Sequence, residues 1–180
     1  MTYYGAKQLA DNFRTVRKNT LAIAEEIPAE QYDFMPAPGV RSVAQQLAHI
    51  AVNTRWAVEI HSGDATFIDF ATFGQHLAQA AGEEAMLRTK NDILDALRKD
   101  GETYAAFLES LTDERLAEMV GFPAPLQPPQ KSRFEMLLGV KEHEMHHRAQ
   151  LMLMQRLLGI VPHLTRQREA MAGAVVAGKA

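Results

Sequence analysis

Cysteine is absent from this 180-residue chain. That excludes disulfides, a cysteine nucleophile and any thiolate metal site. A metal ion would need nitrogen and oxygen ligands from His, Asp or Glu, and any thiol in the chemistry would have to arrive on a small molecule. Excess charge of one sign is also missing. The formal net charge of −3 leaves no basic footprint for nucleic acid and no polybasic face for a membrane. No apolar run approaches the roughly 20 residues of a membrane span. The opening MTYYGAKQLADNFRTVRKN is charged throughout and lacks the apolar core of a signal peptide, so the expectation is a cytoplasmic protein. No Gly-rich phosphate loop and no G-x-S-x-G is present.

What is present has the profile of one soluble globular domain, 47% hydrophobic and 23% charged. Four segments carry helical periodicity. Leu9, Phe13, Val16, Thr20, Ile23 and Ile27 form one stripe that Pro28 closes. Residues 28–41 form a Pro-rich loop that Tyr32 and Phe34 pin to the bundle. Ser42 with Gln45 predicts a capping box opening a second helix, its core side marked by Val43, Leu47, Ile50, Thr54, Ala57 and Val58. Residues 61–82 read as a long connection with a short helix around ATFGQHLAQ. A third helix is expected from Glu83 to Glu109, with Met86, Ile93, Leu97, Tyr104 and Leu108 inward and Gly101 a weak point in its middle. A short turn opens at Thr112, a Pro-rich loop follows, and a fourth helix runs from Lys131 or Ser132 to Leu158, stopped by Gly159 and Pro162. The expectation is an all-α four-helix bundle with long connections, over residues 1–164, followed by an Ala/Gly-rich tail, residues 165–180, that frays.

The fourth helix contains KEHEMHHRAQLMLM. At about 100° per residue, Met136, Val140, His143, Leu151, Met154 and Leu158 all fall within roughly 40° of His147. His143 and His147 therefore share the expected buried stripe, and His146 lies about 100° away. A spacing of four brings both rings within reach of one metal ion. Two hydrogen-bonded core histidines are the plainer reading, since seven histidines in 180 residues place a pair at this spacing by chance about one time in four. Burying two unpartnered imidazoles costs on the order of 1–3 kcal/mol each, however, and a third ligand would have to come from another helix. His49 is the candidate, beside Val52, Asn53, Trp56 and Ile60 on its helix. His61, His76 and His163 read as solvated residues of loops and helix ends, with a loop folded over the bundle as the alternative for His76, and Lys131, Arg133, Lys141, Arg148 and Arg156 read as an exposed basic face. The methionines of the fourth helix read as core. Trp56 is expected to wall a pocket near His49.

Three neutral imidazoles would leave a divalent ion its full charge and an open position. Glu144 and Asn53 are the candidate catalytic side chains, Glu144 as a base or a partner to a ligand. Gln46 and Asn53 flank His49 and are placed to orient it. Glu142 points outward. HEMHH matches H-E-x-x-H literally, but a metalloprotease of that type needs a third ligand downstream and a strand bordering its cleft, and nothing in the chain reads as that strand.

Three stretches carry a family resemblance: YDFMPAPGVRSVAQQLAHIAVNTRW, TKNDILDALRKDGETYAAFLESLTDERL and HEMHHRAQLMLMQRLLGIVPHLT. In this order they resemble the DinB-like (YfiT-like) family of bacterial four-helix-bundle metalloproteins. The third departs from the usual ending only in having Ala149 where Gly is common. The resemblance implies an up-down-down-up bundle, often a homodimer, with a divalent metal on His49, His143 and His147. Zinc is the first expectation, and nickel is compatible with an all-imidazole site. It also implies a small-molecule substrate, with thiol S-transfer from a low-molecular-weight bacterial thiol as the leading activity. The alternatives are a metal-dependent hydrolase, a non-catalytic metal-binding stress-response bundle, and a metal-free interaction domain.

Overall fold

The four-and-three stripe of residues 9–27 forms a helix because it gives one face to bury and because nothing interrupts it before Pro28. A computed structural model, which describes residues 4–177 and side chains to 175, shows that helix as α1 (Ala6–Glu26). All six expected stripe residues are buried. The second helix, α2 (Val43–Ser62), opens on the predicted capping box: Gln45 N–H donates to Ser42 Oγ at 3.3 Å and Ser42 N–H to Gln45 Oε1 at 2.9 Å. Between them Tyr32 is buried and donates its hydroxyl to Ala24 O at 2.7 Å, which pins the loop.

The next segment departs from expectation. Residues 70–86 form a 17-residue helix, α3 (Phe70–Met86), and the long helix that follows, α4 (Lys90–Glu109), begins at Lys90 rather than Glu83. The restart is a second capping box, with Asp92 N–H donating to Thr89 Oγ1 at 3.1 Å. Met86 belongs to the end of α3 and is 77% exposed, not inward. Ile93, Leu97, Tyr104 and Leu108 do face the core. The short turn is α5 (Asp113–Ala117), capped by Thr112.

The Pro-rich loop is framed by two strands that the sequence reading did not include. β1 (Met119–Gly121) pairs antiparallel with β2 (Gln130–Ser132), and residues 66–68 bridge to Gly121 alongside. Three-residue strands are too short to show period-two alternation. Ser132 ends β2 and also caps α6 (Arg133–Leu157), with Glu135 N–H donating to Ser132 Oγ at 3.2 Å. The ribbon thus sets where α6 begins. Gly159, at φ 79°, ends it as expected. The segment expected to fray is instead helical, as α7 (His163–Ala177); the last three residues of that tail lie outside the described residues.

The bundle helices are α1, α2, α4 and α6. α1 and α2 each pack on both α4 and α6, so they stand on opposite corners. Arg14 meets Glu102 and Glu109 while Lys90 reaches the end of α1, so α1 and α4 are antiparallel. Arg17 meets Glu144 and Glu26 meets Gln155, so α1 and α6 are parallel. His49 meets His143 and His61 meets Arg133, so α2 and α6 are antiparallel. That is the up-down-down-up order.

Candidate metal centre

α2 and α6 run antiparallel, and three imidazoles meet across them. His143 Nε2 lies 3.1 Å from His49 Nε2 and 3.0 Å from His147 Nε2. One donor nitrogen from each ring falls within 4.8 Å of the others. His49 Nδ1 donates to Glu84 Oε1 at 2.7 Å. A carboxylate only accepts, so the proton sits on Nδ1 and Nε2 presents a lone pair. His147 Nδ1 lies 3.0 Å from Gln150 Oε1, and the Gln46 amide nitrogen lies against the same ring nitrogen. His143 Nδ1 is buried with no hydrogen-bond partner among the described residues.

These contacts test whether the three rings suit a metal. A neutral ring nitrogen holds one proton or one lone pair, so His143 Nε2 can satisfy only one of its two neighbours by hydrogen bonding. A single cation satisfies all three. Imidazole nitrogens bound to one tetrahedral zinc at about 2.0–2.1 Å stand about 3.3 Å apart, close to the separations found. Burial, and then the charges of His147 and His49, push the His143 pKa down to about 4; His147 is also lowered, chiefly by burial. Neutral imidazoles are the metal-binding form. The residues fit a divalent ion.

The other sequence candidates fall differently. His146 is exposed, contacts Gln150, and is no part of the cluster. Glu144 does not face the histidines. It is buried in a two-pronged ion pair, accepting from Arg17 Nε at 3.0 Å and Nη2 at 2.9 Å. Arg17 also donates to Leu97 O at 2.7 Å and lies over Gly101, where a Cβ would stand 2.9 Å from Nη1. Gly101, read as a weak point in its helix, is the opening that admits the guanidinium. The buried residues of α6 include Leu137, Glu144, His147, Leu151 and Met154, while Met136, Val140 and His143 are half-buried on the flank toward α2. Met136 lines a cleft and Met145 is exposed, so the methionines are not all core. Gln46 orients His147 rather than His49. Asn53 lines the cleft beside His143. Glu84, the partner of His49, was missed because its residues were assigned to the start of the wrong helix.

Four more residues lie where the sequence did not place them. Arg133 is fully buried rather than exposed: it donates to Ala65 O at 2.8 Å and Glu118 Oε2 at 2.9 Å, and its Nη1 lies 3.2 Å from His61 Nδ1. His61 and His163 are buried, not solvated. His76 lies on α3 with its ring 5.8 Å from Trp56. Arg133, His61 and His163 read as surface residues because polar side chains near a helix end usually reach water, and His76 because the sequence assigns it to the connection that proves to be α3.

The DinB superfamily model matches residues 12–151. The chain belongs to that superfamily. No protein of curated function matches this DinB-superfamily chain. Among solved structures it is similar to the DinB-like protein YjoA of Bacillus subtilis, at 23% identity and a TM-score of 0.63, covering 84% of this chain and 92% of that one. It is also similar to YfiT of Bacillus subtilis, described as a probable metal-dependent hydrolase with an unusual four-helix bundle topology. That match has 17% identity and a TM-score of 0.68, and covers 89% and 91%. At these identities the likeness shows the fold. Among the described residues no helix is long and apolar enough to cross a membrane.

Proposed function

We propose that this protein is a metal-dependent enzyme acting on a small molecule, with His49, His143 and His147 as the ligands of a divalent ion. The observation that supports it is the pair of contacts at His143 Nε2, which protons alone cannot satisfy. An ion on three neutral imidazoles keeps its charge and an open position, and supplies Lewis acidity to a nucleophile or carbonyl placed there. Glu84 holds the His49 ring in the tautomer that frees Nε2, and Gln46 and Gln150 fix the orientation of the His147 ring. Asn53, on the cleft side of His143, is placed to hold a substrate polar group.

Hydrolysis is the first reaction class, in keeping with the description of YfiT. Thiol transfer is the second, and one feature favours it. Glu144, the carboxylate nearest in sequence to act as a base, is paired with Arg17 inside the bundle. A small thiol needs less help than water does, since its pKa is already near 8.5.

The test uses protein purified under zinc-replete conditions. About one equivalent of metal is expected, falling sharply in His147→Ala. Parent protein with and without chelator is then assayed on a panel of esters and amides, and on a small thiol with an alkylating electrophile. Chelator-sensitive turnover of one panel assigns the class. Less than about 0.2 equivalents of metal in the parent would overturn the reading.

A further inference from the structure

Beside His143 the surface opens into a cleft of about 300 Å³. It continues into a second lobe of about 340 Å³ under α3 and the β1–β2 loop. Trp56, Phe122, Lys131 and Met136 line both, so the two are one double cleft. The far lobe is aromatic, walled by Phe70, Phe73 and Leu126 as well. Its volume is about twice the roughly 150 Å³ that accommodates a benzene ring. No residue of α3 is buried, and Phe70 and Phe73 stand 53% and 42% exposed. Clustered exposed aromatics mark a binding surface rather than a fold requirement.

Charge is distributed unevenly along this cleft. Two carboxylates border it, and both are engaged at helix N-termini: Asp69 accepts from Thr72 N–H, and Glu135 accepts from Ser132 N–H and Ser132 Oγ, each at 2.8 Å. Lys131 sits where the lobes join; its ammonium forms no hydrogen bond or ion pair among the described residues, and the carboxylate its charge acts on, Glu135, is already held by Ser132. We propose that the double cleft binds a small anionic molecule with an aromatic or branched aliphatic body. The body fills the lobe under α3, the anion meets Lys131, and the group to be transformed lies beside His143. The last clause rests on the metal-dependent reading; the first two do not.

Trp56 is the only tryptophan and walls both lobes, so its emission reports their occupancy. Full-length protein freed of metal by chelation is titrated with 4-phenylbutyrate. A saturable change in emission is expected, with 4-phenylbutylamine and acetate at least about tenfold weaker. Lys131→Gln is expected to weaken the acid about fivefold and leave the neutral 4-phenylbutyramide unchanged. Phe73→Ala, at an exposed position, is expected to weaken acid and amide alike, by about tenfold. The inference is overturned by no saturable change at about 10 mM acid, or by an amine that binds as well as the acid. It is overturned equally if Lys131→Gln weakens acid and amide to the same degree, or if emission follows protein concentration alone, which would place a second copy of the chain over the lobe. Probe binding in a protein that fails to hold metal would leave this inference standing and remove only the metal-dependent reading.

Discussion

His49 and His146 show how little a histidine's own position says. Both sit on helices beside other polar residues, yet only His49 meets Glu84, which fixes its tautomer and turns its lone pair toward His143. Glu84→Ala is therefore expected to weaken zinc binding about 10- to 100-fold, while His146→Ala leaves it unchanged; competition against a chromophoric chelator measures both. Equal losses would mean that the Glu84 contact does not orient a ligand. Gly101 is a second residue whose meaning lies in its neighbour. In an exposed helix Gly→Ala stabilises by about 1 kcal/mol. Here the added methyl would stand 2.9 Å from Arg17 Nη1 and 3.0 Å from its Cγ. Urea denaturation of Gly101→Ala is expected to show a loss of about 1–2 kcal/mol; a gain would show that Arg17 gives way freely.

At the scale of elements, α6 carries both a pair of candidate ligands and a buried carboxylate that ties it to α1. Glu144 and Arg17 are 2% and 4% exposed, and their bond crosses from α6 to α1 while Arg17 also reaches α4. Arg17→Met leaves Glu144 buried without its cation, at an expected cost of about 3–5 kcal/mol. Arg17→Met with Glu144→Leu removes both charges and is expected to recover most of that stability. If the double variant also regains full zinc affinity, packing alone sets the phase of α6; a stable double variant with weakened zinc binding assigns the ion pair a positioning role.

For the whole molecule, acid sensitivity follows from buried neutral histidines. His61 lies at the end of α2, and burial, then the charges of Arg133 and Arg115, push its pKa from 6.5 to about 4. Glu118, on the far side of those arginines, pairs with both. In the unfolded chain His61 takes its proton near pH 6.5. Between the two values the unfolded state holds more protons, so the His61 contribution is complete above about pH 6.5 and is lost as pH falls to about 4, by about 3 kcal/mol. His61→Gln keeps an acceptor for Arg133 without titrating. In metal-free protein it should flatten the fall in unfolding free energy across this window. Comparison with the parent isolates His61 from His143, His147 and His163, which are also shifted down. Parallel losses in parent and variant would assign the acid sensitivity elsewhere.

The sequence by itself determined the bundle and the pairing of His143 with His147 on one helix face, with His49 offered as the third ring; their meeting across 94 positions is tertiary. Helical periodicity, Ser42 and Ser132 as caps, and Pro28 and Gly159 as stops are local signals, each complete within a turn or two of chain. They placed α1, α2 and α6 and put His143 and His147 four apart on one side. Only the tertiary structure decided what surrounds those rings. The Arg17–Glu144 bond spans 127 positions, and Glu84 reaches His49 across 35; no periodicity records a partner that distant. The extent of α3, the short β-ribbon and the aromatic lobe likewise depend on surfaces brought together by folding. A helix announces its own core face through repetition, whereas a buried charge or an open cleft is defined by atoms from other elements.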